Sequence, residues 1–359
     1  MKLDSFYVET YRGLKEVSLD KFTDINVFVG KNNSGKTSLL EAMVLSGLFD
    51  NAEQMIITLA SRYQKVSIDR VNTMFDINGE KKRIGLKHCL YDEGAKEHMQ
   101  IDTEIVSAER AESTQQGDGI KELRRLALRL EYNTCCSETG KKQTAVFRID
   151  FLQEGAMLTI RSGKRRNSDM LTRIPCQFVA FSRFDGTDFL LKALDEILEQ
   201  GKRADLVEAL QIFDESIQNF EIIGEERDIK IIRDGDNASL SVYDYGNGMY
   251  KAFYIASAAL LSENGILLVD EIEAGIHREA LEKFVRYLGQ LCQKKKIQMF
   301  VTTHSLETLD LFLQSCQQAD RVNDLTVYNI RNTKEKTNAR RYSGSKLKDL
   351  RTEIGLDVR

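Results

Sequence analysis

Apolar side chains near the start of the chain follow first a strand pattern and then a helix pattern. Residues 2–8 alternate apolar and polar positions, which indicates a strand, and residues 25–29 (Ile-Asn-Val-Phe-Val) form a second, largely buried strand. Helical spacing of apolar residues predicts a helix from Thr37 to about Phe49 and another at about 52–64. The chain is therefore expected to open as strand, loop and helix.

The middle of the chain, residues 66–180, has a different pattern. Short alternating stretches such as Ala145–Phe151 and Met157–Arg161, separated by polar turns, predict antiparallel strands. One amphipathic helix is expected near 119–129, and the polar residues 108–118 are expected to form a mobile loop. No heptad run is long enough for a coiled coil.

The second half of the chain returns to strand–helix alternation. Residues 188–220 have helical periodicity, and residues 229–243 predict a hairpin that turns at Asp234-Gly235-Asp236. Alternation at both ends of the chain predicts an α/β core with a parallel sheet, into which the middle segment is inserted. The expected elements after the hairpin are a helix at about 248–262, a strand at 266–269, a helix at 277–291, a strand at 297–301 and a helix at 305–316.

Length, charge and cysteine content limit the functions to be considered. With 359 residues and a net charge of −4, the chain has ample length for a core, and no global field attracts it to nucleic acid. The polar N-terminus and the lack of an apolar run of about 20 residues argue against a signal peptide and a membrane span, so a cytoplasmic protein is expected. The six cysteines lack ligand-like spacing and are expected to be free thiols: Cys89, Cys135, Cys136, Cys176, Cys292 and Cys316.

One phosphate-binding motif lies between the second strand and the first helix. Residues 30–37, Gly-Lys-Asn-Asn-Ser-Gly-Lys-Thr, fit G-x-x-x-x-G-K-[ST] at every fixed position. The glycines let backbone amides approach phosphate oxygens, Lys36 can reach the β- and γ-phosphates, and the Thr37 hydroxyl can bind Mg²⁺. The candidate nucleotide-binding residues here are Gly30, Lys31, Asn32, Asn33, Ser34, Gly35, Lys36, Thr37 and Ser38.

An acid pair supplies the second half of such a site. Asp270 and Glu271 directly follow the aliphatic run 266–269. Asp270 would hold Mg²⁺ through water, and Glu271 would be the base that polarises the attacking water. A mere strand end is the alternative, but the P-loop favours the catalytic interpretation. Most of the chain separates the two motifs, which points to the ABC-type ATPase class rather than a compact kinase or small GTPase.

Two further features agree with an ATPase site. His304 follows the strand after the acid pair, where a γ-phosphate sensor would lie, although a lone histidine is more often structural. The stretch from Ser241 to Lys251 contains Tyr245-Gly246-Asn247-Gly248 just before a helix, and a glycine-rich helix start is a second phosphate-binding end. A plain helix-start turn is the alternative for this second feature.

On these motifs the sequence resembles the ABC-type ATPases of the RecF, SMC and OLD (overcoming lysogenization defect) group. The resemblance covers roughly residues 1–64 and 175–316. It rests on Thr10-Tyr11-Arg12-Gly13-Leu14 followed by the P-loop, and on Asp270-Glu271-Ile272-Glu273-Ala274-Gly275-Ile276-His277 and Thr302-Thr303-His304-Ser305, which look like the OLD-type stand-alone ATPases.

The resemblance implies an α/β fold, an ABC-type P-loop ATPase with a mixed sheet core. The ATPase domain would comprise 1–65 and 175–359, and the mainly antiparallel insertion, with its helix, would comprise 66–174. ATP and Mg²⁺ are the implied cofactors, and a nucleotide-sandwich homodimer or a higher oligomer is the implied assembly. The implied cofactor-binding residues outside the P-loop are Arg12 and, facing the γ-phosphate held by the other subunit, Ser241, Gly246 and Gly248.

The sequence departs from the group in several places. The signature is not Leu-Ser-Gly-Gly-Gln, and Gln177 is only a candidate for the Q-loop glutamine. SMC-like members carry a coiled coil in the insertion, which this chain lacks. The segment after residue 316 is expected to be too short for the TOPRIM nuclease domain of full-length OLD proteins, and Asp234-Gly235-Asp236 is interpreted as a turn rather than as a nuclease acid pair.

Basic clusters and the C-terminal segment are candidates for partner contact. The clusters are either solvated faces or nucleic-acid contacts, and the one at 164–166 is the strongest candidate because it lies in the insertion. Apolar residues at helical spacing from Tyr342 to Arg359 would either pack on the chain's own core or dock a partner. The four basic clusters are Arg124-Arg125, Lys164-Arg165-Arg166, Lys294-Lys295-Lys296 and Arg340-Arg341.

Three functional hypotheses follow from these features. The first is an ATPase that dimerises on ATP and controls a separately encoded effector, such as a nuclease, in prokaryotic phage or plasmid defence. The second is a RecF-like ATPase that binds DNA directly in repair or replication. The third is a structural switch that binds ATP with negligible turnover, and the intact Glu271 argues against it.

Overall fold

The computed structural model describes residues 1–48, 67–69, 71, 83–116, 119–154, 157–162, 174–180, 187–225, 227–235, 239–333, 335–352 and 357–358. Two compact units divide the chain. The first comprises Met1–Phe22, Asn32–Ile174 and Ile330–Arg340, and the second comprises Thr23–Lys31, Pro175–Asn329 and Arg341–Arg359. The division after Ile174 falls where the sequence predicts the end of the insertion. Residues 1–22, which the sequence placed in the ATPase domain, group here with the strand-rich segment, so the extent of the ATPase domain stays a prediction.

The described residues form strands, helices and short helical turns, numbered here in chain order. The strands are β1 (Lys2–Tyr11), β2 (Leu14–Asp20), β3 (Ile25–Val29), β4 (Arg83–Asp92), β5 (Glu97–Gln116), β6 (Gly119–Cys136), β7 (Lys142–Glu154), β8 (Met157–Ser162), β9 (Cys176–Val179), β10 (Ile217–Ile223), β11 (Asp228–Arg233), β12 (Leu240–Ser241), β13 (Ile266–Val269), β14 (Gln298–Thr303), β15 (Leu325–Asn332) and β16 (Thr337–Ser343). The α-helices are α1 (Lys36–Met43), α2 (Thr187–Glu199), α3 (Arg203–Gln211), α4 (Asn247–Leu261), α5 (Arg278–Lys294), α6 (Leu306–Gln318) and α7 (Gly344–Thr352).

A seven-stranded antiparallel sheet forms most of the first unit. Its strand order is β2-β1-β4-β5-β6-β7-β8. The alternating pattern predicted for residues 2–8 buries Leu3, Phe6 and Val8 on one face. α1 belongs to this unit and continues into one π-helical stretch, Val44–Leu48, so the predicted helix is present but changes its winding after Met43.

Two predictions for the insertion are wrong. The helix expected near 119–129 is part of β6, and the expected loop at 108–118 is strand through Gln116. β6 pairs with β5 on one side and with β7 on the other, and this non-local pairing overrides the helix preference of its Leu, Arg and Ala residues. The period-two burial of Leu126, Leu128 and Leu130 is the strand signal that the helical interpretation overlooked.

A largely parallel sheet in the order β16-β15-β3-β14-β13-β9 lies mostly in the second unit, although the end of β15 and most of β16 are grouped with the first. The pairs from β15 to β9 are all parallel, as the strand–helix alternation predicts. β13 spans the predicted residues 266–269, and its four aliphatic side chains are buried. A separate antiparallel sheet, β10-β11-β12, contains the predicted hairpin, with Asp234 and Gly235 in the turn. The α/β fold with its antiparallel insertion is therefore confirmed.

The apolar core of the second unit also contains the C-terminal segment. Leu347 of α7 and Val358 are buried in that core, and Leu350 packs against it. Of the two alternatives for this segment, packing on the chain's own core therefore holds for its described residues. Among the described residues, the search for a helix long and apolar enough to cross a membrane found none.

Some sequence-based predictions lie outside the described residues. These are the second helix at about 52–64 and the basic cluster Lys164-Arg165-Arg166. Within the described part of the chain, two of the other clusters pair with acids. Arg124 contacts Asp69 at 2.7 Å, and Lys294 contacts Asp205 at 2.8 Å, which favours the solvated-face interpretation for them.

Candidate active site

The P-loop joins β3 to α1 through backbone conformations that few residue types adopt. Gly30 has φ 153°, Asn33 has φ 61° and Gly35 has φ 95°. Glycine adopts positive φ without steric cost, and asparagine tolerates the left-handed region. The Leu39 N–H donates to the Gly35 carbonyl at 2.9 Å, so the helix begins directly after the loop. The earlier amides of that turn lack helical acceptors and suit an anion.

Side chains of the P-loop fit a phosphate group. The Ser34 hydroxyl is buried and has no hydrogen-bond partner among the described residues. The Lys36 side chain is also buried. Gly35 has φ 95°, which strains any residue with a side chain, and an added Cβ would also lie 2.6 Å from Leu14 Cδ2. The remaining predicted residues lie in the same stretch, Lys31 and Asn32 exposed in the loop and Thr37 and Ser38 in the first turn of α1.

Arg12 anchors the helix that follows the P-loop. Its guanidinium lies 2.9 Å from Glu41 Oε2, and Glu41 is a fully buried residue of α1. The Tyr11 hydroxyl donates to the same carboxylate oxygen at 3.3 Å. A buried carboxylate is stable only when it is paired in this way, so Arg12 has a structural partner in addition to its predicted cofactor role.

The acid pair lies directly after β13, as predicted. Asp270 is buried, and its N–H donates to the Val179 carbonyl at 2.8 Å. Glu271 follows with φ 47°, a left-handed conformation that costs a non-glycine residue about 1 kcal/mol or more. Surrounding hydrogen bonds must therefore hold Glu271 in place.

Thr302 of β14 connects both acids through one hydroxyl group. Its Oγ1 donates to Asp270 Oδ1 at 2.7 Å and accepts the Glu271 N–H at 2.8 Å. Thr302 is fully buried, so neither contact competes with water. The Thr302 side chain therefore fixes the position of the Asp270 carboxylate relative to the Glu271 backbone.

Glu273 orients the histidine that was predicted to sense phosphate. Its Oε1 accepts from the Thr303 hydroxyl at 2.7 Å and from the His304 N–H at 3.0 Å, and it lies 3.0 Å from His304 Nδ1. The His304 side chain is 50% exposed. A carboxylate at Nδ1 fixes the ring orientation and the tautomer, which is a common arrangement for functional histidines.

Lys251 of α4 holds the loop that begins at Glu271. Its ammonium donates to the Glu271 carbonyl and to the Ala274 carbonyl, the latter at 3.0 Å. The residue is only 1% exposed. Burial lowers the pKa of Lys251 to about 8, although the negative charges of Glu273, Asp270 and Glu271 oppose this effect. Glu271 is thus fixed at its N–H by Thr302 and at its carbonyl by Lys251.

The signature-like turn packs against the same loop. Gly248, in the first turn of α4, leaves no room for a side chain, because an added Cβ would lie 2.6 Å from the Gly275 carbonyl oxygen. Gly246, the N-cap of α4, has φ 92°. Ser241 is buried, and its hydroxyl donates to Asp228 Oδ1 at 2.7 Å and accepts the Tyr243 N–H at 3.4 Å.

The second unit therefore brings together most of the predicted catalytic and signature residues. Gln177, the Q-loop candidate, lies within β9 opposite Leu267. Sequence reasoning assigned no role to Thr302, Glu273 or Lys251. Thr302 could have been noticed because it is a polar residue at the end of an apolar strand. Lys251 could have been noticed because it is the single charged residue in the sequence of α4.

Two family models match successive parts of the chain. The model described as "AAA ATPase domain" matches residues 1–154. The model described as "AAA domain, putative AbiEii toxin, Type IV TA system" matches residues 168–310. The first includes the P-loop, and the second includes the signature-like turn, the acid pair and His304.

The chain is similar to a nucleotide phosphatase and, over short stretches, to DNA-repair proteins. An "ATP/GTP phosphatase" of Helicobacter pylori is 22% identical over 386 residues, which cover 96% of each chain. The "DNA replication and repair protein RecF" of Staphylococcus carnosus is 46% identical over 43 residues, 12% of each chain. The crystal structure of an SMC head bound to the C-terminal winged-helix domain of ScpA matches with TM-score 0.55 and 12% identity, over 97% of this chain and 100% of that chain. At that identity the structural likeness shows the fold.

Proposed function

We propose that this chain, a P-loop ATP hydrolase that matches two AAA ATPase family models, acts as an ATP-gated homodimer. In this proposal the dimer controls a separately encoded effector in prokaryotic phage or plasmid defence. The cofactors would be ATP and Mg²⁺. The single observation that carries the dimer-gating idea is the packing of the signature-like turn on the loop of Glu271.

That packing offers a route from a second subunit to the catalytic base. Gly248 lies against Gly275, and Lys251 of the same helix donates to the carbonyls at both ends of the Glu271–Ala274 segment. A phosphate docking on the N-terminus of α4 would therefore act on an element that also positions Glu271. Such a link makes hydrolysis depend on whether a second copy has closed over the nucleotide.

Exposed apolar side chains next to the turn support an interface there. Leu240 is 43% exposed and Tyr243 is 44% exposed, and they flank the buried pair Ser241 and Val242. Large apolar side chains at a functional rim are typical of surfaces that a partner covers. A second copy of this chain is the proposed partner for this surface.

The chemical roles that we propose follow the geometry of each residue. Bound Mg²⁺·ATP would supply a γ-phosphate activated toward attack by water. Lys36 and Thr37 would bind the phosphates and the metal at the P-loop, and Asp270 would act as a metal ligand through water. Glu271 would accept the proton of the attacking water, and His304, oriented by Glu273, would donate to the γ-phosphate.

Control of an effector is supported by one family match and by one structural likeness. One family model is described with a toxin and a type IV toxin–antitoxin system, and one structure of this fold holds a winged-helix domain of another protein. The test is copurification of the tagged chain with the products of neighbouring genes, with and without ATP. ATP-dependent capture of one such product, with no DNA binding by the chain alone, supports the proposal. Salt-sensitive DNA binding by the chain alone, without a captured protein, contradicts it.

A RecF-like role on DNA is the second candidate function. Beyond the short RecF match, four arginines line a concavity on one face of the seven-stranded sheet: Arg125, Arg129, Arg148 and Arg161. Arg129 and Arg148 are directly opposite each other in the β6–β7 register. Each also contacts an acid on its own strand, Glu131 at 2.8 Å and Asp150 at 2.9 Å, so the surface charge is largely balanced.

The arginine face gives the DNA hypothesis a direct test. If the arginine face binds the DNA backbone, the double variant Arg129→Ala/Arg148→Ala should lower DNA affinity. The slope of log affinity against log salt concentration should also become shallower by about two, as expected for the loss of about two phosphate contacts. Arg286→Ala on α5 of the other unit is the matched control. Unchanged DNA affinity and salt slope in the double variant would eliminate this surface as the DNA site.

A further inference from the structure

Three metal-ligand side chains from neighbouring strands meet on the seven-stranded sheet. Asp4 lies on β1, Cys89 on β4 and His98 on β5. Their ligand atoms all lie within 4.8 Å of one another. In sequence they are far apart and show no ligand-like spacing, so the sheet alone creates the cluster.

A local irregularity in β1 places Asp4 in this cluster. Leu3 pairs with Leu90, and Ser5 pairs with the adjacent residue Cys89. Asp4 therefore has no partner residue in the β4 register and forms a β-bulge. A bulge of this kind redirects a side chain and is often found beside functional sites. The Phe22 N–H donates to the Asp4 carbonyl at 3.2 Å, which holds the bulged backbone.

The three groups form the mixed donor set that zinc prefers. Thiolate sulfur, imidazole nitrogen and carboxylate oxygen bind Zn²⁺ at about 2.0–2.3 Å, which places ligand atoms roughly 3.5 Å apart around a tetrahedral ion. The separations of up to 4.8 Å need to close by at most about 1.3 Å, a change within the reach of side-chain rotation. A soft sulfur ligand disfavours Mg²⁺ and Ca²⁺.

The Asp4 carboxylate lies within 4.8 Å of the Cys89 thiol, so the cluster contains a negative charge that a bound cation would balance. Among the described residues, no lysine or arginine forms an ion pair with Asp4, and Lys2 on the same strand pairs with Glu93 at 3.0 Å. His98 is exposed and stacks its ring 4.8 Å from that of Tyr91, so solvent can reach the cluster.

We propose that Asp4, Cys89 and His98 bind one Zn²⁺ ion, with water in the fourth position. The ion would join β1 to β4 and β5 and so stabilise the sheet of the first unit. This site is separate from the nucleotide chemistry and does not depend on the proposed function.

The test uses the full chain, stripped of metal and titrated with Zn²⁺ or Co²⁺ alone. We expect one equivalent to bind, a thiolate-to-cobalt charge-transfer band with Co²⁺, and a higher melting temperature with Zn²⁺. Cys89→Ala and His98→Gln should each weaken binding by at least about 10-fold, and Cys89→Ala should remove the band. His98 is exposed, so its variant is expected to fold.

Cys135→Ala is the matched control. Cys135 pairs with Gln100, which in turn pairs with Cys89, so the control thiol lies on the same face two strands away, about 10 Å from the cluster. Its removal should leave the charge-transfer band and the affinity unchanged. Absence of the band in the natural protein, equal loss of binding in Cys135→Ala, or full binding by Cys89→Ala would overturn the assignment.

Discussion

Replacing Lys251 with methionine should nearly abolish ATP hydrolysis while leaving the fold in place. Methionine has a similar length and no charge, so α4 keeps its packing while the Glu271 and Ala274 carbonyls lose the ammonium of Lys251. Glu271 then loses one of the three hydrogen bonds that hold its left-handed backbone, the other two being those with Thr302 and with the Ala274 N–H. A displacement of about 1 Å of a catalytic group can cost about 100-fold in rate, and we expect kcat to fall by about that factor.

The effect on stability should be small because two terms oppose each other. Burial lowers the pKa of Lys251 from 10.5 to about 8, so the charged form is disfavoured in the folded state by about 3 kcal/mol at pH 7. The variant removes that cost but leaves the Ala274 carbonyl without its Lys251 donor, at about 1–3 kcal/mol, whereas the Glu271 carbonyl still accepts the Ala274 N–H at 3.0 Å. We expect a net change within about 2 kcal/mol.

The pH dependence of stability provides an independent check. Between pH 8 and 10.5 the unfolded state binds more protons at Lys251 than the folded state does. The natural protein should therefore gain stability with rising pH in that window, and Lys251→Met should lack this gain. Denaturant unfolding at several pH values measures the difference.

Phosphate release under saturating and limiting ATP separates a positioning role from a binding role. Lys251→Met should lower kcat with little change in KM, because the lysine touches the loop of the base rather than the nucleotide. Lys202→Met is the control, since Lys202 donates to the Leu260 carbonyl at 3.4 Å at the other end of α4. Full kcat in Lys251→Met, or a loss of stability above about 4 kcal/mol, would refute the positioning role.

Three further variants probe other parts of the account. Thr302→Val should leave the buried Glu271 N–H unpaired, cost about 2–4 kcal/mol in stability and lower kcat, as measured by denaturant unfolding and phosphate release. Gly248→Ala should displace the Gly275 carbonyl, which lies 2.6 Å from the added Cβ, and lower kcat by at least about 10-fold. Burial lowers the pKa of His88 to about 3, so about 3 kcal/mol of stability should be lost as pH falls from 6.5 to 4, and His88→Leu should lack that loss.

Each of these variants has a matched control in the chain. Thr326→Val removes another buried hydroxyl, which contacts Thr23 at 3.0 Å, far from the acids in the sheet order. Gly289→Ala adds a methyl group whose nearest neighbour is 3.8 Å away. His277→Leu changes an exposed histidine. If a control variant lowers kcat, or changes the loss of stability at acid pH, as much as its test variant does, the role assigned to the tested residue is wrong.

Local signals in the sequence were sufficient for the motif-bearing elements. The P-loop between β3 and α1, the strand at 266–269 and the turn at Asp234-Gly235 each depend on neighbours in sequence, so periodicity and turn residues identify them. The same reasoning failed at 119–129, where charged and leucine residues favour a helix in isolation. There, pairing with strands on both sides decides the structure, and no local pattern encodes that pairing.

The candidate site likewise has residues that the sequence predicts and contacts that it does not. Asp270, Glu271 and His304 could be found because each follows a buried strand. The hydrogen bonds of Thr302 and Lys251 could not be predicted, since they join residues 20 to 32 positions apart. The six cysteines are free, as predicted, but the grouping of Cys89 and His98 with Asp4 arises only when the sheet forms, so spacing in the sequence does not reveal it.

The most direct test of the central claim is the mass of Glu271→Gln in solution with ATP and Mg²⁺. The substitution removes the proposed base but preserves its shape, so ATP should bind without being hydrolysed. Light scattering should then show a species of twice the chain mass of 41.0 kDa, which disappears when ATP is withheld. A variant that stays monomeric with ATP and releases phosphate at the natural rate would contradict both the base assignment and the ATP-gated dimer.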